Sequence, residues 1–287
     1  MRSVIPLADT TQVQPDRTIS PRDGMIKDGL EPQYFELGRR ALELILFSGR
    51  LCDKPHYHDI LDLPCGHGRV LRWLRAHYDY ARITACDLDH DAVDFCRDRF
   101  RAEGVYSQPD LPQLSFPSPF ELVWCGSLLT HLSQERWLAA LDCLVRWTRE
   151  YGVIVFTTQG RSYTSLLARG RRNVAENIDK SALLAEFARS GFAYERYSEP
   201  EHGDYGVTAT SPEWVGRALQ RHPDIILRAY LEEAWGMQDV VILYKKTGHY
   251  EPVLGAPATP PPGATAPWSV RLRRLLGRRP AAAPPAR

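Results

Sequence analysis

The chain has no run of about 18 apolar residues, so it offers no membrane-spanning helix. Its start, Met1-Arg-Ser-Val-Ile-Pro-Leu-Ala-Asp-Thr10, has too short an apolar core for a secretory signal. Charge of neither sign dominates. Thirty-six Lys and Arg against 35 Asp and Glu leave a formal net charge of +1, which gives no general argument for nucleic acid or for an acidic partner. Six cysteines (Cys52, Cys65, Cys86, Cys96, Cys125 and Cys143) stand at scattered spacings with no Cys-x-x-Cys pair, which argues against a metal site. Several lie inside apolar runs, where cysteine acts as a small buried hydrophobe. These absences point to a reduced, cytoplasmic protein. At 287 residues and 44% apolar content, the chain has ample material for a core.

The organisation is read from periodicity. Residues 1–24 are polar and hold prolines, which predicts a flexible leader. Apolar positions from Tyr34 to Leu46 recur at helical spacing. Strands are predicted at Asp59–Leu63, Ala81–Cys86, Gly104–Ser107, Phe120–Cys125 and Gly152–Thr158, alternating with helices at Val70–His77, from Asp89 as N-cap, and at Gln134–Thr148. Such alternation implies an α/β fold, a parallel sheet with helices on both faces. Further on, a helix Ser181–Ser190 is closed by Gly191, Phe192–Tyr197 is extended, and His202–Ser211 reads as a loop. Ser211-Pro212 opens another helix, and Ile225–Trp235 with Gln238–Lys245 forms an antiparallel C-terminal hairpin across Gly236. Residues 25–248 form one domain, with 192–228 as a substrate lid or insertion. The Pro- and Ala-rich tail 249–287 is expected to be disordered.

The first strand and its turn carry the chemistry. Ile60-Leu-Asp-Leu-Pro-Cys-Gly-His-Gly-Arg69 joins an acid to a Gly-x-Gly turn, and Ile83-Thr-Ala-Cys-Asp-Leu-Asp89 ends a second strand in another acid. This layout holds a nucleoside. No Gly-x-x-x-x-Gly-Lys-Ser/Thr string occurs, which excludes a P-loop. A dinucleotide site wants a third glycine where Leu71 stands, and Arg69 and Arg72 occupy the first helical turn. An acid ahead of the glycines would repel a pyrophosphate but suits a cofactor with a cationic amino-acid end.

On these residues the chain resembles the class I S-adenosylmethionine-dependent methyltransferases, whose motif acid-x-Gly-x-Gly-x-Gly appears here as Asp62-Leu63-Pro64-Cys65-Gly66-His67-Gly68, with Pro64 in place of the first glycine. The resemblance implies that Asp62 holds the cofactor's amino group, directly or through water. It also implies that Gly66 and Gly68 admit the methionine portion to the backbone. Pro64 and Cys65 belong to the same turn, the Cys65 thiol being a packing group rather than a nucleophile. Asp87 matches the acid that binds the ribose hydroxyls, Leu88 would lie against adenine, and Ser107 and Gln108 stand where an adenine contact is common. Phe120–Leu132 matches the fourth strand and its turn, including Gly126, with Glu121 where Asp is commoner.

For the acceptor, His131 after strand four is the candidate general base, needed only where the accepting atom must lose a proton, with a helix-start or packing role as the other open reading. Gln159, Tyr205, Trp235, Gln238 and Asp239 are candidate substrate residues. For Gln238 and Asp239, an acceptor contact and a satisfied loop anchor are both open readings. The expected function is methyl transfer to a small-molecule or glycan acceptor at oxygen, with no nucleic-acid partner. The alternative is a nucleoside-binding module without activity, or an NAD-dependent enzyme of similar fold. In the tail, Trp268, Leu272, Leu275 and Leu276 surrounded by arginines predict an amphipathic helix over 268–279 for peripheral contact with a membrane or an acidic partner.

Overall fold

The computed structural model describes residues 8–26, 29–170, 178–198 and 204–248. In chain order the strands are β1 (Asp59–Asp62), β2 (Arg82–Asp87), β3 (Glu103–Tyr106), β4 (Phe120–Cys125), β5 (Thr148–Thr158), β6 (Phe192–Arg196), β7 (Gly206–Thr210), β8 (Ile225–Trp235) and β9 (Gln238–Lys245). The helices are α1 (Glu31–Leu51), α2 (Leu71–His77), α3 (His90–Phe100), α4 (Gln134–Trp147), α5 (Arg161–Ala168), α6 (Lys180–Ser190) and α7 (Pro212–Leu219).

Seven strands form one sheet in the order β3-β2-β1-β4-β5-β9-β8. The first five run parallel, and β9 enters antiparallel between β5 and β8. Alternate side chains of a strand point to opposite faces, and the sheet uses this fully. Ile60, Ala85, Leu122, Trp124, Val153 and Val240 join one core, beneath α1, α2 and α3. Leu61, Cys86, Val123, Cys125, Ile154 and Val241 join the other, beneath α4 and α7. Every residue of β4 is buried, as a central parallel strand covered on both faces requires.

The helix caps follow the sequence. Asp89 accepts from the Asp91 and Ala92 backbone N–H groups, Gly191 takes the left-handed conformation after α6, and Ser211 caps α7 ahead of Pro212. The β8–β9 hairpin turns at Gly236, with φ +64°.

Four expectations change. The leader has no helix or strand over 8–26, yet it is anchored rather than loose. Arg72, almost completely buried, donates to the Asp16 and Thr18 carbonyls at 3.1 and 2.9 Å, and Tyr34 donates to Asp23 at 2.7 Å. Residues 206–210, read as loop, are strand β7, paired antiparallel with β6 in a separate two-stranded sheet. The segment expected as a lid is built in, because Trp214, Val215, Ala218 and Leu219 of α7 belong to the second core. Strand β5 begins at Thr148 rather than Gly152, and α5 follows it where no helix was anticipated. The tail 249–287, with its amphipathic stretch, lies outside the described residues. Among the described residues no helix is long and apolar enough to cross a membrane.

Candidate functional site

The turn after β1 is tied to both neighbouring strands. Leu63 N–H donates to the Trp124 carbonyl at 3.0 Å, and Cys65 N–H to the Cys86 carbonyl at 3.0 Å. Its two glycines serve different needs. Gly68, at φ +78°, is packed so closely that a Cβ would stand 2.4 Å from the Phe100 ring. Gly66, at φ +48°, has no atom within 4 Å of its missing Cβ, so its bare face looks onto open space.

The two acids differ sharply. Asp62 is 1% exposed, and among the described residues neither of its carboxylate oxygens has a hydrogen-bond partner. Burial, then the charge of Asp87, raises its pKa well above the ordinary range, against an opposing pull from Arg69. Asp87 accepts from Gly66 N–H at 2.8 Å and Asp89 N–H at 3.0 Å. Burial raises its pKa too, while those backbone bonds hold it down.

Two cavities meet at Pro64, Asp87 and Ser127, residues that line both. One, of about 220 Å³, is walled by Cys65, Gly66, Arg69, Trp124, Gly126 and Trp235, with Asp23, Met25 and Tyr34 from the N-terminal side. The other, of about 280 Å³, is walled by Leu88, Ser107, Gln108, Leu128, His131 and Tyr205, with Arg136. The structure therefore brings Pro64, Cys65, Gly66, Asp87, Leu88, Ser107, Gly126, His131, Tyr205 and Trp235 to two adjoining cavities. Asp62 sits just behind the turn, and Gly68 faces the protein interior.

Among the acceptor candidates, Tyr205 lines the larger cavity, with the Arg136 guanidinium 5.7 Å from its ring centre. Trp235 lines the smaller one. Its indole N–H is donated to the Leu37 carbonyl at 2.8 Å, and its ring meets Trp124 edge-on and Arg69 at 5.1 Å. Gln238 lines neither cavity. It accepts from Thr157 Oγ1 and donates to Ser127 Oγ at 2.9 Å, pinning the loop after β4, where Ser127 has φ +65°. Asp239 is a loop anchor: fully buried, it accepts from Tyr230 Oη at 2.8 Å and Glu233 N–H at 3.0 Å. Both of its oxygens are engaged and it lines neither cavity, which favours the loop-anchor reading over an acceptor contact. Gln159 also lines neither cavity. Its carbonyl accepts from Thr210 N–H at 2.7 Å, and its buried Oε1 has no partner.

His131 lies at the end of a 3₁₀ turn, Leu129–His131, and is half-buried. Its Nδ1 is 2.8 Å from the Gly206 carbonyl oxygen. Burial lowers its pKa, so the ring is neutral at pH 7, the Gly206 bond opposing this in part.

Sequence reading missed Arg69, Tyr34, Asp23 and Ser127 as cavity residues. Arg69 was visible in the first helical turn, and among the described residues it makes no ion pair. Asp23 and Tyr34 carried no signal, because the anchoring of the leader depends on contacts far apart in sequence.

Residues 60–152 match the family model described as a methyltransferase domain. The chain is 28% identical over 103 residues to a malonyl-[acyl-carrier protein] O-methyltransferase of Acetivibrio thermocellus, a match covering 36% of each protein. It is 31% identical over 83 residues to a fatty-acid O-methyltransferase of Mycolicibacterium smegmatis, covering 29% of this chain and 30% of that one. The matched part of the chain spans about a third of the length of these curated relatives. Among solved structures, an S-adenosylmethionine-dependent methyltransferase of Clostridium acetobutylicum shares the fold at TM-score 0.51 and 14% identity, covering 74% of this chain and 92% of that one. A plantazolicin methyltransferase, solved with a desmethyl analogue and S-adenosylhomocysteine, gives 0.51 and 12%, covering 76% and 92%. The acid–glycine turn, the sheet order and these matches agree: residues 60–152 carry a methyltransferase domain, and the chain has the fold of the class I S-adenosylmethionine-dependent methyltransferases.

Proposed function

We propose that the chain transfers a methyl group from S-adenosylmethionine to an oxygen of a small-molecule acceptor. The observation that carries the cofactor half is Asp62, a buried carboxylate with no hydrogen-bond partner among the described residues. Such a group is costly to leave unanswered, and a cofactor ammonium reaching it directly or through a water would satisfy it. Arg69, in the same cavity, answers the opposite need by taking a carboxylate. Asp87, its carboxylate held in place by two backbone N–H groups, is set for the ribose hydroxyls. Leu88 and Leu128 offer apolar surface for adenine, and Ser107 and Gln108 lie at its edge. The unpartnered Asp62 and the antiparallel β9 both speak against an NAD enzyme, since a pyrophosphate would gain nothing from a buried acid.

When bound, S-adenosylmethionine supplies a sulfonium-activated methyl group for direct displacement. The residues then supply position, desolvation and a proton acceptor. His131, neutral and in the cavity wall, takes the acceptor's proton at Nε2 as the O–CH₃ bond forms and the S–CH₃ bond breaks, leaving an imidazolium. Apolar Leu111, Leu132 and Ala139 in the same wall favour a small or lipid-like acceptor over a glycan. Both curated relatives are named as O-methyltransferases, which supports oxygen as the accepting atom.

The test is a screen of hydroxyl and carboxylate acceptors with methyl-labelled S-adenosylmethionine. Label transfer to oxygen in at least one class is the expected result. Tight S-adenosylhomocysteine binding with no transfer to any acceptor would instead indicate a binding module.

A further inference from the structure

We infer that the two-stranded β6–β7 sheet is the positioning element for His131, its Gly206 carbonyl fixing the imidazole in the Nδ1–H tautomer and turning the Nε2 lone pair toward the cavity. This inference deepens the proposed base role and rests on it. A carbonyl oxygen only accepts, so a ring nitrogen 2.8 Å away must carry the hydrogen. A neutral imidazole then has its single lone pair on the other nitrogen, and among the described residues Nε2 makes no hydrogen bond. The Tyr197 hydroxyl, 3.2 Å from the same Nδ1, meets an N–H there and can only accept from it.

The sheet is held against the histidine by more than this bond. Thr208 Oγ1, on β7, donates to the Leu132 carbonyl directly after His131. Arg196 pairs with Gly206 in the register, and Tyr197 N–H donates to the Tyr205 carbonyl at 3.2 Å. Glycine is required at 206 because a Cβ would stand 2.2 Å from the Glu195 carbonyl oxygen and 2.7 Å from the Tyr194 ring. A larger residue must shift the strand, and with it the carbonyl that holds the ring. The orienting group is thus main chain, and its sequence trace is one glycine at a strand start.

The tautomer is observable without knowing the acceptor. Long-range proton–nitrogen correlation spectra of histidine-labelled protein at neutral pH, assigned through His131→Asn, should show Nδ1 protonated and Nε2 bare. An Nε2–H ring in the wild type overturns the inference. Gly206→Ala should move the population toward Nε2–H, and a folded Gly206→Ala protein with the wild-type tautomer also overturns it. Should that variant not fold, Thr208→Val, which frees Leu132 from β7, should produce the same shift, and no shift counts against the inference. Tyr197→Phe should leave the tautomer as it is; a flip there would assign control to Tyr197 instead. The base role is read separately. His131→Asn keeps an N–H for Gly206 but no basic nitrogen, so turnover should fall by about 10²- to 10⁴-fold. Retained turnover would sink the base reading while leaving the tautomer result standing.

Discussion

Asp62 and Asp87 end neighbouring parallel strands, and the chain answers the charge of only one of them. Asp87 has two backbone N–H donors, whereas Asp62 has none and lies deeper. The fold keeps an unfavourable group at one fixed place, which is how a binding site differs from a core.

Asp62→Asn should therefore stabilise the free protein while weakening cofactor binding. The folded-state pKa of Asp62 is raised, so its protonated form adds stability at low pH that is lost as pH rises. The gain in the variant should be absent near pH 4 and reach about 1–3 kcal/mol at pH 8. Denaturant melts at the two pH values measure this. Affinity for S-adenosylhomocysteine should fall by about 10- to 100-fold, the worth of one charge-assisted bond.

The two turn glycines should respond differently to alanine. Gly68→Ala meets the Phe100 ring and a positive φ together, so stability should drop by about 2–4 kcal/mol. Gly66→Ala enters open space, so the melt should change by only about 1 kcal/mol, from φ strain alone. Its methyl group points where the cofactor is proposed to lie, so affinity should suffer more than stability. Paired thermal melts and titrations separate the two.

Asp239 predicts a pH dependence of stability. Burial raises its folded pKa to about 6 from an ordinary value of 3.8. Its contribution is fully present below pH 3.8 and is lost as pH rises through about 6, with a slope of at most about 1.4 kcal/mol per pH unit. Asp239→Asn keeps an oxygen for Glu233 N–H and an amide for Tyr230, so it should flatten that segment of the stability curve. An unchanged slope in the variant would contradict the assignment.

Gln238→Ala removes the bridge between Thr157 and Ser127 and leaves two hydroxyls poorly satisfied. A loss of about 1–3 kcal/mol is expected in denaturant melts. Because Ser127 lines both cavities, S-adenosylhomocysteine affinity should fall with it, although Gln238 touches neither cavity.

What the sequence disclosed depended on how local the physics was. Strand and helix identities from Asp59 to Thr158 followed from apolar runs separated by helical spacing. Asp89, Gly191 and Ser211 were readable as caps because a cap is decided within four residues. The anchoring of residues 8–26 was not readable, since it rests on Arg72, whose carbonyl partners on Asp16 and Thr18 lie 56 and 54 residues away in sequence. Strand β7 was hidden by the polar, charged residues before it, Glu199 to Asp204. Asp239 looked like a site residue because a buried acid at a strand end has the same sequence signature whether it anchors a loop or meets a ligand. Only its partners, Tyr230 and Glu233, separate the two.

Whether the acid–glycine turn holds S-adenosylmethionine is decided by calorimetric titration with S-adenosylhomocysteine, with NAD as the control. One-to-one binding of S-adenosylhomocysteine is expected, with no binding of NAD and a loss of about 30-fold or more in affinity for Asp87→Ala, about 2 kcal/mol. Tight NAD binding without S-adenosylhomocysteine binding would contradict it.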